Sequence, residues 1–259
     1  MNAAATTSGA RASGTRAATG VTRARVLGTL AGLIITGTAV LLIPIGLITG
    51  FRARRLYSGV ARHAARAILR LYGVRLRVVQ TAPFRHGQTI YISNHTSTLD
   101  LFVLVALGLP DCRFFLSGFL RKFVPLGVIA GMMGTFFTVP QDRPAERRQI
   151  FARAERILRR TGESVYLSPE GGRITTGEIG HFNKGAFHLA TNLQAPIVPL
   201  YFEIPRDVDP GRGYDARPGA VTVHVLPAIE TRGWVLEDLL PNVARVREAF
   251  VARHGAEHA

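Results

Sequence analysis

Cysteine is almost absent from this chain. Cys112 is the only one in 259 residues, which excludes an intramolecular disulfide framework and a cysteine-based zinc site. In the stretch Leu109-Pro110-Asp111-Cys112 it has no nearby partner and reads as a packing residue. Acidic residues are scarce as well: 17 Asp and Glu stand against 32 Lys and Arg, a formal net charge of +15. Such an excess implies an anionic partner, whether nucleic acid, an anionic bilayer or a phosphorylated substrate. No G-x-S-x-G elbow is present, so the usual serine route to a lipid hydrolase is missing. Charge itself is missing from Val26 to Gly50, 25 positions in a row.

What is abundant is apolar sequence: 47% of residues are hydrophobic and the mean hydropathy is +0.18. That is enough for a sizeable core and a membrane segment besides. Residues 1–25 are rich in Ala, Thr, Ser and Gly without apolar periodicity, and a disordered tail is expected there. No A-x-A-like site closes the apolar run that follows, so a retained segment is expected rather than a cleaved signal peptide. As a helix, Val26–Gly50 would be about 37 Å long, and a hydrocarbon core is about 30 Å thick. Membrane insertion is therefore expected, with Pro44 leaving open a kinked span or a re-entrant hairpin in one leaflet. Arginines flank both ends (Arg23 and Arg25, then Arg52, Arg54 and Arg55), and the positive-inside rule gives a weak vote for a cytoplasmic face for the domain that follows.

Phe51–Tyr72 predicts a second helix. Leu56, Val60, Ala64, Ala67, Ile68 and Leu71 share one side, opposite Arg55, Arg62, Arg66 and Arg70. That pattern is expected of a helix lying at a bilayer interface. Packing on the domain core with a solvated basic face is the alternative. Residues 26–72 are thus read as membrane-inserted and interfacial helices, and 73–259 as one folded domain.

From Gly73 short runs of β-formers alternate with longer helical patterns, which predicts an α/β fold: a mixed central sheet of about seven strands flanked by helices. The strands are expected at Val74–Gln80, Thr89–Ser93, Arg113–Ser117, Thr135–Val139, Ser164–Leu167, Ile197–Phe202 and Val221–Leu226. Helices are expected near Thr98–Leu107, Gly118–Ala130, Pro144–Arg160, Lys184–Asn192 and Leu236–Ala252.

Two constellations follow predicted strands. The first is Ser93-Asn94-His95-Thr96-Ser97-Thr98-Leu99-Asp100. On one continuous helix His95 and Asp100 would lie about 140° apart and not meet. With Ser97 capping the following helix and Asp100 in its first turn, His95 sits in the loop above, where the carboxylate reaches it. A carboxylate on one imidazole nitrogen orients the ring and leaves the other to take a proton. The same spacing also suits a structural turn with a helix-capping acid. The second constellation is Ser168-Pro169-Glu170-Gly171-Gly172-Arg173, with two glycines for close backbone approach and a guanidinium suited to phosphate. It leads to Lys184 at the start of a helix, a favourable place for an anion. A solvated surface loop would read the same way.

Taken together, H-x4-D and a P-E-G-x-R turn about seventy residues later resemble the phospholipid and glycerol-phosphate acyltransferase family. The resemblance runs from about Gly73 to Leu226 and includes Phe182–Phe187 and Ala195-Pro196-Ile197-Val198-Pro199. It implies His95 and Asp100 as the catalytic pair and Glu170, Gly171, Gly172 and Arg173 as acceptor-binding residues. Two departures stand out. Gly172 occupies a position that usually carries a hydroxyl, and Pro140 stands where the family has a phosphate-binding arginine, for which Arg143 is the expected substitute. Lys184 completes the expected phosphate ligands.

The resemblance implies acyl transfer from acyl-CoA or acyl-carrier protein to the free hydroxyl of a lysophospholipid. The expected acceptor is 1-acyl-sn-glycerol-3-phosphate, giving phosphatidate. No metal or organic cofactor is implied. Backbone N–H groups near the helix start are expected to hold the oxyanion, and Phe114, Phe115, Phe136 and Phe137 are candidates to line an acyl channel beside their role in packing. Another lyso-lipid, such as a lyso-ornithine lipid or a sugar lipid, is the alternative acceptor. A non-enzymatic membrane-binding protein is the reading outside the class. Nucleic acid is not expected as a partner, because much of the charge excess lies in the first seventy residues beside the apolar segment.

Overall fold

The computed structural model describes residues 6–84, 87–211 and 215–258, with side chains over 22–256. Helices α1 (Thr6–Ile48) and α2 (Arg54–Leu71) precede an α/β domain of β1 (Val74–Val79), β2 (Ile90–Ser93), α3 (Asp100–Leu107) and β3 (Cys112–Ser117). It continues through α4 (Val124–Met132), β4 (Phe136–Thr138), α5 (Pro144–Thr161), β5 (Ser164–Leu167), α6 (Gly185–Leu193), β6 (Ile197–Glu203), β7 (Gly219–Val225) and α7 (Leu239–His258). Short 3₁₀ turns occupy Gly118–Lys122 and Leu236–Asp238. The seven strands lie in the order β1-β7-β6-β2-β5-β3-β4. Every neighbouring pair is parallel except β6 with β7, so the sheet is mixed, as expected.

Alternation along the strands builds the two layers. Tyr91, Phe114 and Tyr166 face a core with α1–α4, whereas Ile90, Ile92, Phe115, Val165 and Leu167 face a core with α5–α7. The central strand β2 is buried on both sides, which explains its unbroken apolar run Ile90-Tyr91-Ile92.

Three segments differ from expectation. The helix containing the apolar run begins at Thr6, within the expected disordered tail. Residues 6–25 contain no proline, and once the apolar helix is nucleated, Ala and Arg extend it at little cost; residues 1–5 lie outside the described residues. Pro44 does not end α1, which continues to Ile48. Within α1, Thr22–Ile48 is long and apolar enough to cross a membrane. Ala31, Thr38, Ala39 and Leu42 are buried against the domain, while Leu33, Val40, Leu41, Leu47 and Ile48 remain exposed.

The face of α2 is also rotated from the expected one. Tyr57, Ala61, Ala65, Ile68 and Leu69 are buried, Leu56 is exposed, and the helix packs on α3. Several arginines expected to face lipid headgroups instead serve the domain. Arg66 Nε donates to the Ala106 carbonyl, and Arg55 grips both oxygens of Asp111. Small side chains at 61 and 65 permit the close approach that a Leu56 stripe would not. The helix expected over Gly118–Ala130 is broken at Phe123, because Pro125 has no N–H for the carbonyl of Arg121 and its ring would clash there, so it is tolerated only in the first turn of a new helix, α4.

At the N-terminal edge of the strands, Glu163 joins α2 to the sheet. Its carboxylate accepts from Arg54 at 2.5 Å and from Arg113 at 2.7 Å. Burial works against the charged carboxylate, but the hydrogen bonds from Arg113 and Arg54 outweigh it and hold the pKa below 4.5. Glu163→Gln should lower stability at neutral pH by about 1.5–3 kcal/mol, the range for hydrogen bonds to charged groups. The folded pKa is depressed, so this contribution is present above 4.5 and lost as pH falls through the folded value. Thermal unfolding in detergent should therefore show the two proteins converging in acid.

Candidate active site

In an open sheet of parallel strands, ligands bind beyond the carboxyl ends of the strands. Both constellations lie at that edge, one after β2 and the other after β5, and these strands are adjacent. Asn94, the first residue past β2, is buried. Its side chain donates to the Phe202 carbonyl at 2.9 Å and accepts from the Phe202 N–H at 2.7 Å, which fastens the loop to β6.

His95 follows, with its ring one-third exposed. Nδ1 lies 2.6 Å from Asp100 Oδ2, a buried oxygen that also accepts from the N–H groups of Thr96 (2.8 Å) and Ser97 (3.1 Å). A carboxylate in that position only accepts, so Nδ1 carries the proton and Nε2 presents its lone pair. Ser97 Oγ accepts from the Leu99 N–H at 2.8 Å while Asp100 accepts from the Ser97 N–H, so the two side chains fasten the turn before the helix; Ser97 is not itself the N-cap, a position held by Leu99 without a side-chain cap. Regular α3 begins only at Asp100, two residues later than expected. The N–H groups of Thr96, Ser97 and Leu99 are all used within this turn.

The second constellation closes on the first. Glu170 is buried and accepts the His95 N–H through Oε2 at 2.6 Å and the Gly180 N–H through Oε1 at 2.8 Å. Ile174 N–H donates to the His95 carbonyl at 2.7 Å. Both oxygens of Glu170, an expected acceptor-binding residue, hold backbone N–H groups. Burial raises its pKa above 4.5 even though the two N–H donors and His95 pull it down. Gly171 is left-handed (φ +69°), and a Cβ there would lie 2.8 Å from the Asn183 amide and 2.9 Å from the Gln141 amide. Only glycine lets these two segments meet the turn. Gly172 and Arg173 are exposed, and Arg173 Nη1 donates to the Gly211 carbonyl at 3.0 Å.

Arg143 and Lys184 stay on the rim. Both are exposed, at the starts of α5 and α6, and Arg143 faces Glu146 at 3.6 Å. Of the four phenylalanines, Phe114 lines an apolar cavity under α1–α4 together with Leu101, Phe102 and Leu116. Phe115 and Phe136 pack in the opposite core, and Phe137 lies under Arg121. A cavity of about 500 Å³ with a mixed polar and apolar lining opens beside Thr96 and Ser97.

Asp209 escaped the sequence reading. Buried, it accepts from the Ser97 hydroxyl and, at 2.8 Å, from the Gly211 N–H, joining the His95 loop to the segment that holds Arg173. Asp209-Pro210-Gly211 signals a turn, but nothing in that signal reaches back to Ser97. Asn183, which donates to the carbonyls of Pro169 and Glu170, was missed for the same reason. Asp209→Ala should cost about 1–3 kcal/mol, the price of stranded buried donors, and should speed hydrogen exchange at 96–99 and 209–211. Asp209→Asn should be milder, since it retains an acceptor for Gly211.

A mixed α/β sheet thus brings a histidine–carboxylate pair and a glycine-rich turn together at its carboxyl edge, an arrangement suited to acid–base chemistry. Residues 75–203 match the family described as Acyltransferase, and the chain belongs to that family. It is 30% identical over 169 residues to human 1-acyl-sn-glycerol-3-phosphate acyltransferase beta, covering 65% of this chain and 60% of the relative. It is 28% identical over 214 residues to the human alpha enzyme, covering 82% and 75%. The chain thus spans about 60–75% of the length of these relatives. Its fold is similar to the crystal structure of the 1-acyl-sn-glycerophosphate (LPA) acyltransferase PlsC from Thermotoga maritima, with a TM-score of 0.69 at 18% identity. That match covers 90% of this chain and 98% of the other.

Proposed function

We propose that the protein transfers a fatty acyl group from acyl-CoA or acyl-carrier protein to the free hydroxyl of 1-acyl-sn-glycerol-3-phosphate, giving phosphatidate. The observation that carries this reading is the 2.6 Å His95–Asp100 contact, which leaves Nε2 open above a turn that ends in Arg173. Relatives named for this acceptor support it.

Nε2 of His95 takes the proton of the acceptor hydroxyl as its oxygen bonds to the thioester carbonyl carbon. Asp100 stabilises the imidazolium that forms. The tetrahedral intermediate then breaks its C–S bond, and the imidazolium returns the proton to the leaving thiolate. Glu170 acts as a positioning residue through the His95 N–H. Arg173, with one nitrogen on Gly211, offers the remainder of its fork to the phosphate, with Gly172 backbone beside it and Arg143 and Lys184 on the approach. No metal or organic cofactor enters this scheme. The α1 helix serves as the membrane anchor, and the catalytic domain faces the cytoplasm, where the thioester donors are.

Pro140, in place of an arginine, and the pairing of Arg143 with Glu146 favour a second reading. The acceptor headgroup would then be less anionic, as in a lyso-ornithine lipid or a sugar lipid. Offering the purified protein each lyso-lipid with either thioester and identifying the acylated product separates the two. His95→Ala should lower turnover by about 10²- to 10⁴-fold in a folded protein, and near-normal turnover would end the proposal. Arg173→Ala should chiefly raise KM for a phosphate-bearing acceptor. Protonation of Glu170 removes an acceptor from the His95 loop, and its raised pKa brings that loss above pH 4.5. Glu170→Gln, whose amide nitrogen cannot accept from one of the two N–H groups, should lower turnover at neutral pH.

A further inference from the structure

We infer that Gly118–Val124 is a second membrane contact, placed on the rim of the active site and separate from α1. The inference rests on the proposed membrane attachment and adds a surface to it. Phe119, Phe123 and Val124 are 58%, 46% and 69% exposed, unusual for three large apolar side chains so close in sequence. The Phe119 and Phe123 rings meet edge to face at 5.6 Å, and Lys122 Nζ lies 5.4 Å from the Phe119 ring. Arg121 covers Phe137 at 5.3 Å. Aromatic rings with cations at their edge suit the boundary between acyl chains and headgroups, where each part finds its own solvent.

Place in the fold identifies the occupant. The segment leaves the carboxyl end of β3, whose Phe114 is level with Tyr166 of β5, which in turn is level with Tyr91 of β2. It therefore emerges on the same edge as His95, two strands away, or about 10 Å. At Val124 it passes into α4, which packs on α1, so this surface adjoins the helix proposed to enter the membrane. No Asp or Glu occurs between Asp111 and Asp142, nor anywhere before Asp100, and that surface is accordingly basic. An anionic bilayer complements it. A second copy joined about a two-fold axis would set Arg121 and Lys122 against their own equivalents. Resting on lipid at this point, the site would face the leaflet that holds its acceptor, and a lyso-lipid would reach His95 without crossing water.

The test uses the full chain reconstituted with phosphatidylglycerol vesicles containing brominated phosphatidylcholine. Trp234, the only tryptophan, is first replaced by phenylalanine. Single tryptophans are then placed by Phe119→Trp, Phe123→Trp and, as a reporter on α1, Leu33→Trp. The inference expects quenching by shallow bromines at 119 and 123 as well as at 33. Quenching at 33 alone overturns it and leaves the α1 anchor standing; burial of the patch in a dimer gives this same result. Quenching at none of the three overturns the membrane attachment itself. In a kinetic arm, Phe119→Ser/Phe123→Ser should raise KM about tenfold for a vesicle-borne acceptor and leave KM for a short-chain monomeric acceptor unchanged. An equal rise for both acceptors would instead mean a distorted site and overturn the inference.

Discussion

Three N–H groups converge on one oxygen of Asp100, and the geometry of the site depends on that convergence. Two of the donors belong to the backbone of Thr96 and Ser97, the third to the His95 ring. The helix cap and the orientation of the imidazole are therefore the same interaction. The two backbone donors keep Oδ2 placed whatever the ring is doing, while Oδ1, also buried, has no hydrogen-bond partner. Moving the acid by one residue would break the cap before it misplaced the histidine.

The loop that holds His95 has no regular partner of its own, so its polar backbone is satisfied by distant segments. Asn94 ties it to β6, Glu170 takes the His95 N–H, Ile174 returns a donor to the His95 carbonyl, and Asp209 takes the Ser97 hydroxyl. These partners come from the ends of three strands that the sheet brings side by side. Burying such a loop requires partners for its backbone groups, though the side-chain oxygens Thr96 Oγ1 and Asp100 Oδ1 are buried without one. The result is a rigid rim on which one ring nitrogen is left open to solvent.

The first helix shows a different compromise. Its small residues Ala31 and Ala39 allow it to lie close against the domain, while large aliphatic residues on its other side remain uncovered. The helix is thus at once a part of the core and an apolar surface. Family membership concerns residues 75–203, so this helix and α2 lie outside the matched region, yet α2 contributes Tyr57, Ala61, Ala65 and Ile68 to the same core as β1 and α3.

The sequence by itself determined the elements and the pairing of His95 with Asp100. All seven strands are legible because β-branched runs between turn signals are local patterns. The histidine–carboxylate contact is legible because both residues lie within one capping motif of six residues. The tertiary structure alone decided the roles of Glu170 and Asp209, the buried face of α2 and the sorting of Phe114 from Phe115. Each of these depends on which chain segment arrives from far away, and periodicity carries no information about that. A stripe of Leu56, Val60 and Ala64 and a stripe of Tyr57, Ala61 and Ala65 are both possible faces of one helix; the neighbour, α3, selects between them by how closely it approaches. Glu170 likewise became a brace for the backbone because the His95 N–H had no other acceptor within reach.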